Sequence, residues 1–216
     1  MAGLRERKKL MTRAAIHDAA MRLFAEHGYN GTTIADIADA ADVSRATFFS
    51  YFASKDDVVF GDAPQAAQAL AAMLAELPEG TTTLDAVRNW LRTLTGWLGD
   101  ERLPLQQRLA IENPSVAARR HQIHAEFEDI IAAALAREIA SPERELVARM
   151  VAASAVGALT TAETAAAERT AASGRALSST EVEQLLDATM AFIDGGLDRV
   201  NATDRASSPP GSPPRP

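Results

Sequence analysis

Apolar residues recur at helical spacing along most of the 216-residue chain, and β-branched runs bounded by turn signals are missing, so the pattern predicts helices throughout. The most informative stretch runs from Thr32 to Lys55. Ile34, Ile37, Ala38 and Ala41 fall at i, i+3, i+4 and i+7, one apolar stripe on a short helix. Thr33-x-x-Asp36 ahead of it has capping-box spacing, so hydroxyl and carboxylate can satisfy amides at the helix start. Asp42 and Val43 make a turn, with Asp tolerating a left-handed backbone through its short polar side chain. Ser44 is placed to cap a second helix reaching about Ser50. Phe48 and Phe52 anchor it inward, which leaves Ser44, Arg45, Thr47 and Ser50 to face a partner. Upstream, a first helix over about residues 7–27 puts Ile16, Ala20, Leu23, Phe24 and His27 on the face that packs beneath the pair. His27 sits near the helix C-terminal dipole, and Gly28 supplies the stop. An ordinary helical hairpin in a core would show the same periodicity, so the pattern alone leaves that reading open.

The remainder reads as a bundle with short connections. A fourth helix starts at Ser54, carries Val58, Val59 and Phe60, and is interrupted by Gly61 and Pro64, where a kink is predicted before it resumes through Leu77. Thr83 to Gly99 is amphipathic, with Leu84, Val87, Leu91, Leu94 and Leu98 on one face and Trp90 and Trp97 on its flank. A short helix follows from Leu105 to Glu112 and stops at Asn113-Pro114. A long one from Ser115 to Ala140 carries Ile123, Phe127, Ile130, Ile131 and Leu135. Ser141-Pro142 opens the next, with Pro at the first helical position, and it runs to Ala172. The final helix covers Ser179 to Leu197, and the Pro/Ser-rich Ala206 to Pro216 is predicted to be disordered. The expected architecture is all-α. An N-terminal three-helix helix-turn-helix domain (1–53, with a basic arm over 1–9) joins a larger helical bundle (54–200) and a tail (201–216), about nine helices in all.

Composition narrows the function classes. Hydrophobic residues at 47% and charged residues at 24% are those of a soluble globular protein. With no Cys there is neither a disulfide framework nor a thiolate metal site. The apolar run from Met150 to Ala162, broken by Ser154 and Thr160, is too short to cross a bilayer, and no signal-peptide core follows the basic start. No membrane partner and a cytoplasmic location are therefore expected. The net charge of −7 argues at first against nucleic acid, yet its distribution does not. Residues 1–55 hold eight Lys/Arg against six Asp/Glu, a balance of +2, and the rest of the chain stands at −9. A basic arm beside a reading helix can follow phosphates while an acidic body limits indiscriminate binding, although a solvated tail would look the same.

Catalytic chemistry is not signalled. There is no Gly-rich phosphate loop, nucleophile elbow or HExxH motif, so no catalytic residues are assigned and an enzyme is not expected. His121, His124 and Glu128 fall on one helical face at a spacing that could hold a metal, but Arg119 and Arg120 adjoin them and the set reads as a solvated face. No metal site or cofactor is assigned.

Three segments together carry a resemblance. Leu23-Phe24-Ala25-Glu26-His27-Gly28-Tyr29, then Thr32-Thr33-Ile34, then Val43 through Lys55 resemble the TetR family of bacterial repressors over residues 10–58. The resemblance implies a DNA site composed of Thr33, Ser44, Arg45, Ala46, Thr47, Phe49, Ser50, Tyr51 and Lys55. In it Arg45 reaches base edges, where an Arg can bond guanine O6 and N7 together. Thr33, Tyr51 and Lys55 match phosphate-contact positions. This chain departs from the family at Phe49, where the usual Tyr hydroxyl is lost, at Ala35, which cannot read a base, and at Asp42, which replaces the common turn Gly.

The resemblance further implies a homodimer on a palindromic operator. Val151, Ala155, Val182, Leu186, Met190 and Ile193 of the last two helices are its candidate interface, although their stripe could equally be intrachain core. It implies, too, a small apolar effector in the bundle, with Trp90, Leu94, Trp97, Phe127 and Met150 as candidate lining where a filled core is the plain alternative. TFFSYFASKDDVVFGD, followed by Arg108-x-x-x-Glu112-Asn113-Pro114, is similar to members that respond to acyl-thioesters. Two other functions compete: an effector-independent architectural DNA binder, and a helical carrier or enzyme with a vestigial head.

Overall fold

A computed structural model describes residues 3–93, 95–139, 142–188 and 191. Among these, the helices are α1 (Leu4–His27), α2 (Ile34–Ala40), α3 (Arg45–Tyr51), α4 (Lys55–Val59), α5 (Ala63–Ala75), α6 (Thr83–Thr93), α7 (Thr95–Leu98), α8 (Leu103–Glu112), α9 (Pro114–Leu135) and α10 (Arg144–Ser173). Residues 179–188 are helical as well, and no strand occurs among the described residues. The chain is all-α, as its periodicity predicts. Leu94, Ser141, Met190, Ile193, the tail from 201 and the side chain of Trp97 lie outside what is described.

Prolines start helices here instead of bending them. Pro64, Pro104 and Pro114 each occupy the first turn of α5, α8 and α9, where an amide donor is not needed. The kink predicted at Pro64 is thus a break at residues 60–62 followed by a new helix. Pro142 does not open α10, which begins two residues later behind Glu143. α9 stops at Leu135 and not at Ala140, because the chain after it is pulled onto other helices. The Glu138 carboxylate accepts from Thr83 N (2.7 Å) and Thr83 Oγ1 (2.5 Å) at the start of α6, and an Arg137 guanidinium nitrogen donates to Leu74 O (3.1 Å).

Two apolar cores organise the molecule. The first gathers Ile16, Met21, Phe24, Tyr29, Ile37, Phe48 and Phe52 with Val58 and Val59 of α4, and it continues into Leu109, Ala110 and Val116 of α8 and α9. The N-terminal helices are therefore joined to the bundle by shared core and not merely tethered to it. The second joins Leu70, Leu74, Val87, Leu91, Ile131 and Leu135 with the alanines of α10 and with Leu177, Val182 and Leu186. Ala148, Ala152, Ala155 and Ala166 are all buried, and their small side chains let α10 lie close along α9. α10 is long and apolar enough by composition to span a membrane, but its apolar character is that of an alanine-rich helix packed on α8 and α9.

Polar links reinforce the junction between head and bundle. Ser115 Oγ donates to Asp56 Oδ1 (2.8 Å), Arg119 pairs with the buried Asp57, and Arg102 joins Asp18 of α1 to Asp100.

Candidate nucleic-acid interface

Two caps and a turn shape the reading surface. Thr33 Oγ1 accepts from the Asp36 amide (3.2 Å), and the Asp36 carboxylate accepts from Thr33 N (2.8 Å), closing the capping box. The bonds from Thr33 hold the Asp36 carboxyl below its ordinary range. Asp42 adopts φ 52°, the left-handed turn expected of it. Ser44 then caps α3 by accepting from Thr47 N at 3.0 Å.

With Phe48 and Phe52 buried, α3 presents Ser44, Arg45, Ala46, Phe49 and Ser50 to solvent, while Thr47 and Tyr51 are half-buried. Hydrogen bonding then sorts these candidates. The Ser50 hydroxyl donates to Thr47 O (2.6 Å), and the Thr47 and Ser44 hydroxyls share one hydrogen bond (2.8 Å). Arg45 has no hydrogen-bond or ion-pair partner among the described residues, so its fork is free. Phe49, 54% exposed and edge-on to Phe48 at 5.5 Å, offers an apolar face beside it. The basic start is helical from residue 4, and Glu6, Lys8, Lys9 and Thr12 line a groove with Ser50 and Tyr51.

Lys55 is placed differently from the phosphate contact its position suggests. Its ammonium donates to Tyr29 O (2.8 Å) and Thr32 O (3.0 Å) and lies 4.0 Å from the Tyr29 ring centroid, so it fastens the turn between α1 and α2 to α4. Burial pushes its pKa down. His27, expected on the packing face of α1, is exposed, and the buried histidine is His17.

His17 and Arg13 are buried polar residues that the periodicity passed over. Both lie on the apolar face of α1, at i and i+4 with Ile16 and Ala20, and a charge on that stripe was the available signal. Arg13, 8% exposed, donates to Tyr51 O at the end of α3, to Gly61 O (2.6 Å) and to Asp62 Oδ1 (2.6 Å), and stacks 4.1 Å from the Phe52 centroid. One guanidinium thereby ties the reading helix to the break between α4 and α5. His17 Nδ1 lies 2.7 Å from Val58 O, and burial lowers its pKa. Gly61 holds φ +53°, and a Cβ there would meet the His17 ring at 3.3 Å, so only glycine fits this corner comfortably.

That corner is also a wall of the bundle cavity. The cavity, about 320 Å³, is bounded by Phe60, Gly61 and Asp62, by Trp90 of α6, by Gln106 of α8, by Ile123, His124 and Phe127 of α9 and by Leu159 and Glu163 of α10. Trp90 and Phe127, two of the expected lining residues, meet there with ring centroids 5.4 Å apart. Met150 does not: it is 61% exposed and lies outside the lining, because its side of α10 points away from α9. Ala155, Val182 and Leu186, expected at a dimer interface, are buried in the chain's own core, since residues 179–188 spend that stripe on the bundle. Val151 is half-buried against the same core. A shallow groove lined by Ser154, Gly157, Thr161, Ala165, Leu185 and Ala188 remains open on this face.

A capped helix-turn-helix with a free arginine, fused to an all-helical bundle that holds a cavity, defines a DNA-binding regulator. Sequence comparison agrees: the family model of bacterial regulatory proteins of the tetR family matches residues 16–60, and that of the MftR C-terminal domain matches residues 81–198. The chain belongs to the TetR family of transcriptional regulators. It is 27% identical over 198 residues to MftR of Mycobacterium tuberculosis, whose name assigns it to transcriptional regulation of mycofactocin biosynthesis, covering 90% of this chain and 96% of that one. TcmR of Streptomyces glaucescens is 37% identical over 101 residues, covering 47% of this chain and 45% of TcmR. Among solved structures, the TetR-family repressor FadR of Thermus thermophilus, in complex with lauroyl-CoA, superposes with a TM-score of 0.50 at 25% identity over 94% of this chain and 99% of that one.

Proposed function

We propose that the protein is a cytoplasmic repressor that binds a palindromic operator as a homodimer and is released when a small apolar effector enters the bundle cavity. The observation that carries this reading is the Arg13 link. Tyr51 O at the end of α3 and Gly61 O in the cavity wall share one guanidinium. An effector that shifts residues 60–62 therefore shifts the end of the reading helix, through a buried element with little slack. The lauroyl-CoA bound by Thermus FadR supports an apolar effector for this bundle architecture.

In this reading Arg45 bonds base edges, Phe49 and Ala46 supply apolar contact, and Thr33, Tyr51, Lys8 and Lys9 follow the phosphates. Dimerisation uses the open groove between α10 and residues 179–188, where Gly157 and Ala158 admit a second helix closely, and it sets the two reading helices about 34–36 Å apart on successive major grooves.

The test begins by selecting the preferred duplex from random DNA. Its binding is then titrated with effector candidates, and the retained complex is sized by light scattering. A palindromic site held by two protomers, and loosened by an apolar ligand whose own affinity falls by the same factor when DNA saturates the protein, is the expected result. A protein that holds its full site tightly as a monomer, or a ligand indifferent to DNA, would defeat the reading.

A further inference from the structure

Glu163 is a buried acid without a partner. It is 4% exposed, sits on α10 among alanines, and has no hydrogen bond or ion pair among the described residues, yet it forms part of the cavity wall. Every other formal charge lining that cavity is engaged. Asp62 pairs with Arg13, Asp100 with Arg102, and the Arg120 guanidinium donates to Gln107 Oε1 at 2.7 Å. Leaving a carboxylate desolvated and unpaired costs several kcal/mol by general estimates, so the position is stable as an ion only when something supplies a donor. The same cavity is lined by the aromatic rings of Trp90, Phe60 and Phe127, whose negative faces favour a cation.

We propose that the cavity takes an apolar ligand bearing a basic amine, whose ammonium pairs with the Glu163 carboxylate. The proposal rests on the effector reading above and narrows it. An acyl thioester carries no hydrogen-bond donor along its chain and can only accept from the protonated Glu163 carboxyl, whereas an ammonium stabilises the ionised form. An amine donates to the carboxylate and has hydrogens to spare for the unpartnered His124 imidazole. Burial and the neighbouring Arg120 lower the pKa of His124, which keeps that imidazole an available acceptor. The charged and polar groups that share the cavity lining with Glu163 are Asp62, Asp100, Arg102, Gln106, Gln107, Arg120 and His124, and of these Arg120 acts on its carboxyl. Burial, opposed by Arg120, raises the Glu163 pKa to about 7. An ammonium that needs the ionised form must then bind more tightly as pH rises. At about 30 Å³ per group the cavity holds roughly ten methylene-sized groups, which suits decyl probes.

Decylamine, decanoate and lauroyl-CoA are titrated into the full-length protein and into Glu163→Gln, with Trp fluorescence and calorimetry as readouts and no DNA present. Decylamine is expected to bind at least about tenfold more tightly than decanoate, with its affinity rising about tenfold from about pH 6 to about pH 8. Glu163→Gln abolishes both the preference and the pH slope. The wild-type pH profile decides the matter even if the variant folds poorly. Equal or tighter decanoate binding, a preference that survives Glu163→Gln, a flat pH profile, or no decylamine binding at millimolar concentration overturns the proposal. Operator release is read separately. Lauroyl-CoA releasing DNA from wild type and Glu163→Gln alike sinks the amine and leaves the effector reading intact. Decylamine that binds through Glu163 without loosening DNA does the reverse.

Discussion

Replacing Arg13 with Met keeps an unbranched apolar stem and removes the guanidinium with its three hydrogen bonds. Two of these go to backbone carbonyls, Tyr51 O and Gly61 O, and the third to Asp62. The carbonyl bonds dominate, because Arg13 is buried while the Asp62 side chain is 73% exposed and returns to water when unpaired. Charge-assisted bonds to such carbonyls are worth about 1.5–3 kcal/mol each, and the stacking on Phe52 adds up to about 1, so Arg13→Met should cost about 3–7 kcal/mol. Asp62→Asn removes only the exposed ion pair and should cost less than about 1 kcal/mol. Urea unfolding of both variants, followed by far-ultraviolet circular dichroism, measures the difference directly. The reading helix also loses its restraint at Tyr51, so Arg13→Met should weaken the selected operator more than random duplex in a fluorescence anisotropy titration. Equal costs for the two variants would refute this, since they would mean that the link is a surface ion pair and that residues 60–62 have no hold on α3.

Three other predictions concern the head, the cavity and the groove. Arg45→Ala should cost about 1–3 kcal/mol on the selected operator and much less on random DNA, whereas Lys55→Met should lower the unfolding midpoint and weaken both duplexes alike, as its bonds to Tyr29 O and Thr32 O are structural. For Glu163, the folded-state pKa is raised from 4.5 to about 7, so the native protein holds a proton that the unfolded chain releases. Stability should fall as pH rises through that window, by about 3 kcal/mol in all, and Glu163→Gln should match wild type at the acid end and exceed it above neutrality; parallel denaturation curves across the window would contradict this. Gly157→Leu, on the open groove, should produce folded monomers with weak half-site binding, whereas Leu186→Glu should unfold the chain because Leu186 is core. Sedimentation and circular dichroism separate the two outcomes.

The local architecture of the head was legible from residues alone. Thr33, Ser44 and Ser54 cap their helices because a hydroxyl at that position satisfies amides a few residues away, and such bonds need no tertiary partner. Asp42 turns for the same local reason. Periodicity likewise placed Phe48 and Phe52 inward and left Arg45 outward, since a helix face is determined by spacing. What periodicity could not decide was which of two apolar surfaces covers a stripe. Val182 and Leu186 face their own chain and not a partner, because the close approach of α10 to α9 brings the segment from 179 onto the bundle, and that approach depends on alanines distant in sequence. The tertiary fold also decided the fate of charges. Lys55 and Arg13 look like phosphate-seeking cations in sequence, but folding brings carbonyls from 23 to 48 residues away within their reach. Glu163 reads as one more polar residue on a long helix until α8 and α9 close over it and water is removed. Short-range hydrogen bonds and helical spacing are written into neighbouring residues, whereas desolvation is a property of everything packed around a group, and only the folded chain supplies it.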